Sequence, residues 1–435
     1  MVGAVAGVAT AAAYLVGTGR SLDFDGAETV GRFVREGPPW AVFSRQAVFN
    51  NHPFFSFLEQ LVRVATGRTD AAAMRALPIA FGALTVGLLA WYAARRHGPL
   101  AGLVGAGVVA CNPTFAALAR APRGYSLLAL CALGSTILVV EDHDGRSGWW
   151  DLAYVVVAGA GLATHLYMVP VLAGHVGVAV ARRRLGPRGR GRLLGVALLG
   201  SLAYAGMARA MVDAGAAHAR VFQPGFPWRV WVMAAGGGWA AVALSPVVVT
   251  GGAVVVRSRA ARGAAVAAGA VLVALWAGVQ SAALSERFLV WLVPAAGYLA
   301  AAAVGRAPRR GLLAGAGVVL AAAALAPGFT TEPTGYRQAA ALVQRVDASG
   351  RRACVVGVGV SPMLAYLDTP RQFAVVTEAD QLAACDTVVV ATWWPSSSAW
   401  FAADARVIRV AEATFPVRRV LPAADPALVL SRPPG

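Results

Sequence analysis

The sequence predicts a polytopic α-helical membrane protein that ends in a small α/β domain. Three observations lead to this fold class. Of the 435 residues, 58% are hydrophobic and 14% are charged, whereas soluble globular domains carry about 25% charged residues. Long uncharged apolar runs recur through residues 1–327. Beyond them, shorter segments alternate between strand and helix character.

Membrane spans are expected wherever roughly 17–25 mainly apolar residues follow one another. The run at 99–117 contains Asn112-Pro113 and is expected to end early. The stretch from 149 to 181 holds two spans, and we place the break near His165. The first run lacks the basic segment of a signal peptide and is interpreted as a retained span. In all we count about eleven runs, at 2–19, 76–94, 99–117, 124–141, 149–164, 166–181, 193–210, 231–256, 263–283, 288–305 and 311–327.

The net charge of +17 arises from Arg residues, most of which lie in short loops between the apolar runs. The clusters near 95–96, 182–192, 257–262 and 306–310 fall on one side, which the positive-inside rule makes cytoplasmic. The N-terminus is then cytoplasmic and the C-terminal domain extracytoplasmic. A bias to Arg, Ala and Gly without any Lys is typical of a GC-rich bacterial genome, so we expect the membrane to be a bacterial plasma (inner) membrane. The clusters indicate topology and contact with anionic lipids of the bilayer. Nucleic acid is not expected as a partner, since binding it needs a basic face on a folded domain.

Three segments are predicted to lie outside. Loop 20–75 contains two helical patterns, GAETVGRFVREG and FFSFLEQLVRVATG, which we expect in the plane of the membrane interface. This loop also holds several Arg residues, but long loops of mixed charge contribute little to orientation. A shorter loop at 211–229 includes FQPGFPW, and the third segment is everything after residue 327.

The chain is predicted to divide into a membrane module, 1–327, and an extracytoplasmic α/β domain, 328–435. In the domain, GYRQAAALVQRV and EADQLAAC have helical patterns. The segments ACVVGVGV, FAVV, DTVVVAT and RVIRVAEA are expected to be strands of a mainly parallel sheet. Because GVGV does not complete a GxGxxG pattern, no nucleotide is assigned to it.

The four cysteines form no CxxC pair, so a zinc site is not expected. Cys354 and Cys385 each open a predicted strand. Two interpretations stay open for this pair. One is a disulfide between neighbouring strands, which an extracytoplasmic domain permits; the other is two buried thiols.

Charged and polar side chains collect at the predicted outer ends of the spans, where charge is costly. In the predicted topology all of them face one side, which indicates a single outward-facing polar site. They are Asp23, Asp25 and Glu28 after the first span, His52 in NNHPFF, Arg120, Arg123 and Tyr125 before the fourth span, His165 and Tyr167 in THLYMVP, and Glu286 and Arg287 before the tenth.

Four stretches around these residues resemble a known family. DFDGAE, NNHPFFSFL, LARAPRGYSLLAL and SERFLVWLVP are similar to motifs of the membrane-embedded GT-C type glycosyltransferases that use polyprenyl-phosphate sugars. The likeness is greatest to bacterial family 39 and related mannosyl- or arabinosyltransferase-like proteins. It covers most of the chain in layout. Two positions depart from the family pattern: Gly26 rather than Glu follows Asp25, and Phe288 rather than Tyr follows Arg287.

The resemblance implies an enzyme that moves a hexose or pentose from a polyprenyl-phosphate donor to a cell-envelope glycan, lipid or protein outside the cytoplasm. It implies an inverting single displacement with one Asp as general base. We choose Asp25 for that role, with Asp23 or Glu28 assisting, while Gly26 after Asp25 leaves open which of the two Asp residues is the base. No cofactor is required, and a divalent metal would be held, if at all, by Asp23 and Asp25 of the weak DFD motif. Cations are needed for the leaving phosphate, and the expected donor-phosphate residues are Arg120, Arg123, Tyr125 and Arg287. The expected substrate-binding residues are His52, His165, Tyr167 and Glu286.

Simpler interpretations stay open for these residues. Asp23 and Asp25 also fit solvated loop acids, or the N-cap of a helix starting near Ala27, and His52 fits a common helix start before proline. The remaining residues have equally plain alternatives: snorkelling to the interface for Arg120 and Arg123, a local ion pair for Glu286 and Arg287, and packing between spans for His165 and Tyr167.

Two other classes of function compete with the enzyme. One is a membrane transporter or lipid flippase, and the other is a non-catalytic scaffold that binds envelope partners through its outer domain. Transporters usually show inverted repeats and charged or broken helices near the membrane midplane. The sequence shows no clear repeat, and its ionisable residues gather at one face, which favours the enzyme.

Overall fold

The computed structural model describes residues 1–20, 22–35, 37–43, 52–142, 148–183, 186–209, 211–212, 223–278, 285–306, 315–319, 322, 336–356, 366, 374–376, 378–391, 402–421 and 427–432. Their contacts divide the chain into two compact units. The first, called the helical unit, comprises Met1–Val16, Trp40–Phe57 and Leu77–Pro327. The second, called the mixed unit, comprises Gly17–Pro39, Leu58–Ala76 and Gly328–Gly435.

Helices dominate the chain up to residue 306. They are α1 Val2–Leu15, α2 Phe24–Thr29, α3 Pro53–Thr66, α4 Ala71–His97, α5 Pro99–Ala110, α6 Pro113–Leu118, α7 Tyr125–Val140, α8 Gly148–Thr164, α9 Val169–Ala181, α10 Pro187–Tyr204, α11 Phe226–Ala235, α12 Gly238–Val255, α13 Arg259–Gly278 and α14 Leu292–Arg306. Helix α2 continues as one π-helical turn, Val30–Val34.

These helices overlap every predicted span from 2–19 to 288–305, while most of the run at 311–327 lies outside the described residues. Among the described helices, α4 and α12 are long and apolar enough to cross a membrane by length and composition. Five shorter apolar stretches of 10–17 residues accompany them, so the number of spans stays a prediction. Both helical patterns of loop 20–75 form helices, as α2 and α3.

Three helix boundaries have local causes. The predicted span at 231–256 is wrong as one element, because Gly236 and Gly237 have φ angles of 92° and 121° and separate α11 from α12. The span at 99–117 ends early, as expected: the Asn112 side chain accepts a hydrogen bond from the Phe115 N–H and begins α6. The predicted break at His165 is present, with extended backbone at that residue.

Several helices of the helical unit approach one another closely at glycine residues. A Cβ atom placed on Gly177 of α9 would lie 2.2 Å from the carbonyl oxygen of Gly263 of α13. One on Gly105 of α5 would lie 2.8 Å from the carbonyl oxygen of Gly297 of α14. Such small-residue contacts let helix backbones approach closely, which is how helices associate where lipid removes the hydrophobic driving force.

The mixed unit contains a five-stranded sheet in the order β2-β1-β3-β5-β4. Strand β1 pairs in parallel with β2 and β3, and β5 pairs antiparallel with β3 and β4. The small C-terminal sheet is therefore present but mixed, rather than mainly parallel. Its strands are β1 Ala353–Val356, β2 Ala374–Val376, β3 Thr387–Ala391, β4 Val417–Leu421 and β5 Ala427–Ser431.

One predicted strand of this domain is wrong. RVIRVAEA lies inside α16, Ala402–Thr414. Its buried residues Val407 and Ala411 are four apart, with exposed Arg409 and Val410 between them, which is a helical period rather than a strand period. Helix α15, Tyr336–Ala348, matches the predicted GYRQAAALVQRV helix.

The sheet is buried on both faces. Val355, Val389 and Val429 pack with α15 in one core, and Val356, Val388 and Val390 pack with α16 in the other. Cys354 and Cys385 are joined by a disulfide with a Cα–Cα distance of 5.8 Å. Of the two interpretations of this pair, the structure selects the disulfide.

Candidate functional site

Rings and guanidinium groups from four separate stretches of the helical unit meet in one place. His52 precedes α3, Tyr125 opens α7, and His165 joins α8 to the short 3-10 turn Leu166–Met168. The ring centroid of His52 lies 4.7 Å from that of Tyr125 and 4.9 Å from that of His165. We call this group the cation–aromatic cluster: His52, Arg123, Tyr125, His165, Tyr167, Arg287 and Phe288.

Phe288 completes the ring packing. It lies on the 3-10 turn Glu286–Leu289, with its ring centroid 5.3 Å from His165, 5.1 Å from Tyr167 and 6.5 Å from Tyr125. Sequence reasoning treated Phe288 only as a departure from a family pattern. The available signal was its position next to Arg287 in SERFLVWLVP.

Gly124 allows the first turn of α7 to approach the other elements. A Cβ atom at this position would lie 2.4 Å from Cγ2 of Thr164, 3.0 Å from Nδ1 of His52 and 3.1 Å from Cβ of Phe55. The first distance is far below van der Waals contact. The PRGY segment therefore needs glycine between the guanidinium of Arg123 and the ring of Tyr125.

Two positive charges belong to the cluster. The guanidinium carbon of Arg123 lies 5.6 Å from the ring centroid of Tyr125, and that of Arg287 lies 5.8 Å from the ring centroid of Phe288. These distances are within cation–π range. Arg123 is only 8% exposed, so its charge is little screened by water.

Both guanidinium groups affect the pKa of His52. It lies in the predicted extracytoplasmic loop, and burial lowers the pKa of its imidazole well below the usual value, with Arg123, His165 and Arg287 lowering it further. A neutral imidazole beside two guanidinium groups leaves the cluster with net positive charge. An anion with several oxygen acceptors, such as a phosphate, is the ligand that this arrangement suits.

An apolar cavity of about 210 Å³ adjoins the cluster. Tyr167 belongs to both, and Leu289 of the cavity wall follows Phe288 of the cluster. The FQPGFPW segment, noted in the sequence only as a loop, contributes Phe226 to the wall, and Trp276 of α13 contributes another ring. An amphiphile with an anionic group and a hydrocarbon portion would match this pairing of charge and apolar wall.

Two predicted site residues make other contacts. Arg120 donates a hydrogen bond to the carbonyl oxygen of Val16, which follows α1, at 2.7 Å. Glu286 forms an ion pair of 3.4 Å with Arg229 of α11. The interpretation of Glu286 as the ion-pair partner of its neighbour Arg287 is therefore replaced by a longer-range pair.

The predicted acids lie in the mixed unit, on α2. The helix begins at Phe24, not near Ala27, with Asp23 at the N-cap position and Asp25 in the first turn. The Asp23 side chain accepts no capping hydrogen bond from this helix. Glu28 forms an ion pair of 3.2 Å with Arg32. Asp23 and Asp25 are both half-buried.

In the described part of the chain, no three residues among His, Cys, Asp and Glu lie close enough to form a metal site. The pair Asp23 and Asp25 stays the only arrangement that the sequence offered for a divalent ion.

Comparison with known proteins shows a similarity in fold but none in sequence. No protein-family model matches the chain, and no curated protein matches it in sequence. The chain is similar in fold to ArnT from Cupriavidus metallidurans. The crystal structures of ArnT in the apo state and bound to undecaprenyl phosphate each superpose with a TM-score of 0.65 and 14% identity, over 99% of this chain and 99% of theirs. This likeness confirms a mostly helical, ArnT-like fold with a small C-terminal sheet.

Proposed function

We propose that the protein is an integral membrane glycosyltransferase that takes a sugar from a polyprenyl-phosphate donor. One observation carries the proposal. The guanidinium groups of Arg123 and Arg287 both lie close enough to His52 to lower its pKa, and an apolar cavity adjoins them. The ArnT structure with undecaprenyl phosphate bound supports the same class of ligand in this fold.

The donor phosphate binds between Arg123 and Arg287 in this proposal. When the bond from the anomeric carbon to the phosphate oxygen breaks, the electron pair stays on that oxygen, and the two guanidinium groups stabilise the added charge. The first prenyl units lie along the apolar cavity wall that includes Phe226 and Trp276. His52, His165 and Tyr167 bind the sugar or its acceptor as hydrogen-bonding and ring surfaces.

Asp25 is the proposed general base. It accepts the proton of the acceptor hydroxyl as that oxygen attacks the anomeric carbon, which inverts the carbon's configuration. Glu28 already pairs with Arg32, and Asp23 occupies the N-cap position, so we assign them assisting roles. The acceptor is a cell-envelope glycan, lipid or protein.

The reaction takes place outside the cytoplasm of a bacterium, at its plasma membrane. The Cys354–Cys385 disulfide supports this compartment for the C-terminal domain, because disulfides persist in oxidising surroundings. The Arg clusters at the ends of the predicted spans support the corresponding orientation, with the N-terminus inside.

The test incubates purified protein with a panel of undecaprenyl-phosphate-linked hexoses and pentoses. Turnover of each donor is measured as the release of undecaprenyl phosphate. At least one donor should be hydrolysed or transferred, and Asp25→Asn should lower that rate about 1,000-fold while donor binding persists. Asp347→Asn, an exposed carboxylate on α15, is the matched control and should keep full turnover.

Two results would contradict the proposal at different levels. Full turnover in folded Asp25→Asn protein would remove Asp25 as the base. Absence of binding and of turnover across the whole panel would remove polyprenyl-phosphate sugars as the donor class.

A further inference from the structure

We propose that Tyr366 of the C-terminal domain is a positioning residue that holds the backbone of the helix carrying Asp25. The Tyr366 hydroxyl accepts a hydrogen bond of 2.5 Å from the N–H of Leu22, the residue before Asp23. The inference rests on the proposed function, since it assigns Tyr366 a role through the proposed base. All the residues involved belong to the mixed unit.

Tyr366 joins two hydrophobic cores of that unit. On one side it packs against the core that includes Ala339, Val343 and Val355 of α15 and the sheet. On another it packs against the core formed by Leu22, Ala27, Val30, Val34, Ala71 and Met74. Half of this second core comes from α2 and its π-helical continuation. The Tyr366 ring therefore packs against the buried face of α2, and its hydroxyl binds the backbone just before the helix begins.

Further hydrogen bonds hold the chain just before α2. Arg337 of α15 donates to the carbonyl oxygen of Gly19 at 2.5 Å. Arg75, which is 5% exposed, donates to the carbonyl oxygens of Thr18 and Arg20 at 2.6 and 2.7 Å. The segment that leads into α2 is thus held by one guanidinium group from the C-terminal domain and one from α4.

The other end of the helix is held as well. Gln60 of α3 donates to the carbonyl oxygen of Phe33 at 2.7 Å, and Arg63 donates to that of Gly37 at 2.6 Å. Every one of these bonds ends on a backbone carbonyl, so together with the Leu22 contact they fix the backbone on both sides of the segment that carries Asp23 and Asp25. Preorganised positioning of this kind is worth large factors in rate.

The Tyr366 hydroxyl is suited to this contact. Burial raises its pKa and outweighs the lowering by the Leu22 N–H and by the charge of Arg75, so the group stays protonated. Its oxygen accepts from Leu22 without adding a negative charge next to Asp23. The C-terminal domain thereby gains a role in the proposed reaction, through the helix that carries Asp25.

The experiment compares Tyr366→Phe with Tyr14→Phe in the full-length protein. The first keeps the ring in both cores and removes only the hydroxyl. The second removes a comparable buried hydroxyl, whose hydrogen bond of 2.9 Å goes to the carbonyl oxygen of Ala110. The measurements are hydrogen exchange at the Leu22 amide, melting temperature, and kcat and KM with the undecaprenyl-phosphate sugar that the panel identifies.

Tyr366→Phe should speed exchange at Leu22 about 10-fold and lower kcat about 5-fold, as expected for one lost hydrogen bond, with donor KM within about 2-fold. Tyr14→Phe should leave exchange at Leu22 and kcat unchanged at a similar melting temperature. Unchanged exchange in Tyr366→Phe, or an equal loss of kcat in Tyr14→Phe, overturns the inference.

Failure of the proposed function gives a different result. If exchange at Leu22 rises in Tyr366→Phe while Asp25→Asn keeps full turnover, the helix is positioned by Tyr366 and Asp25 is not the base. If Asp25→Asn is inactive and Tyr366→Phe keeps full kcat, the function holds and the positioning role is wrong.

Discussion

The cation–aromatic cluster and helix α2 hold their functional groups in opposite ways. In the cluster the side chains themselves are fixed, because rings of His52, Tyr125 and His165 pack on one another within 4.7–5.9 Å. At α2 the backbone is fixed by hydrogen bonds at both ends, and Asp23 and Asp25 stay half-buried. The difference fits the proposed chemistry: packing holds the side chains that would bind a phosphate, whereas the proposed base is positioned through the backbone of its helix.

The largest expected effect tests the rigid clamp. Arg287→Ala removes one of two positive charges from a cluster whose other members stay packed, so the dissociation constant for undecaprenyl phosphate should rise roughly 100-fold. Arg287→Lys should recover only part of the affinity, because an ammonium group lacks the planar fork of guanidinium. Binding is measured with detergent-purified protein.

Arg418→Ala is the matched control for that change. Arg418 is an exposed residue of β4 whose ion pair with Glu412 spans 3.6 Å, so its loss should leave lipid binding unchanged. Equal loss of affinity in Arg418→Ala and Arg287→Ala would mean that net charge, rather than the cluster, determines binding.

A smaller effect is expected from crowding the cluster without touching its charges. Gly124→Ala places a methyl group 2.4 Å from Thr164, so α7 must shift and separate Tyr125 from His52. We expect about a 10-fold weaker affinity for undecaprenyl phosphate, of the size that small displacements cause in positioned sites. Gly134→Ala is the control, since its nearest contact would be an ordinary 3.4 Å. Wild-type affinity in Gly124→Ala would show that the cluster tolerates displacement.

The smallest effect concerns an acid that is fully buried, whereas Asp25 is half-buried. Glu59 of α3 is fully buried, and neither carboxyl oxygen has a hydrogen-bond partner among the described residues. Burial raises its pKa well above the usual value. Between the unfolded and folded pKa values the folded state holds more protons, so stability falls as pH rises through that window.

Glu59→Gln should remove this pH dependence and stabilise the protein by about 1–3 kcal/mol at neutral pH, seen as a higher melting temperature in detergent. Glu412→Gln changes an exposed acid of the same unit and should shift stability by less than about 1 kcal/mol. A lower melting temperature in Glu59→Gln at neutral pH would mean that the carboxylate is charged and bound in the folded state.

The two regions also differ in how far the sequence predicted them. Each part of the cluster is a short local motif in which polar groups interrupt an apolar run, so His52, Arg123 and Arg287 were visible one motif at a time. The support of α2 was not visible, because Leu22 and Tyr366 are 344 residues apart and no local pattern encodes their contact. Tyr366 stands among small and apolar residues in MLAYLD.

The fold was also predicted in part: the helices were located correctly, and two elements were wrong because local sequence did not reveal them. Hydrophobicity located the helices, since apolar length is what a span requires. It missed the break at Gly236, where positive φ angles interrupt a run that stays apolar throughout. It also assigned RVIRVAEA to a strand, because its β-branched residues favour a sheet while the core accepts Val407 and Ala411 from one helix face.

The mixed unit consists of segments that lie far apart in the sequence, so they are synthesised at different times. Its segments Gly17–Pro39 and Leu58–Ala76 leave the ribosome first, and Gly328–Gly435 leaves last. At about 5–20 residues per second, the intervening chain delays the last segment by tens of seconds. Helix α2 is thus made early but can gain its Tyr366 and Arg337 contacts only after those two residues have been synthesised. Under the proposed function, the nascent enzyme would lack the support that these contacts give to the helix carrying Asp25 until that last segment has folded.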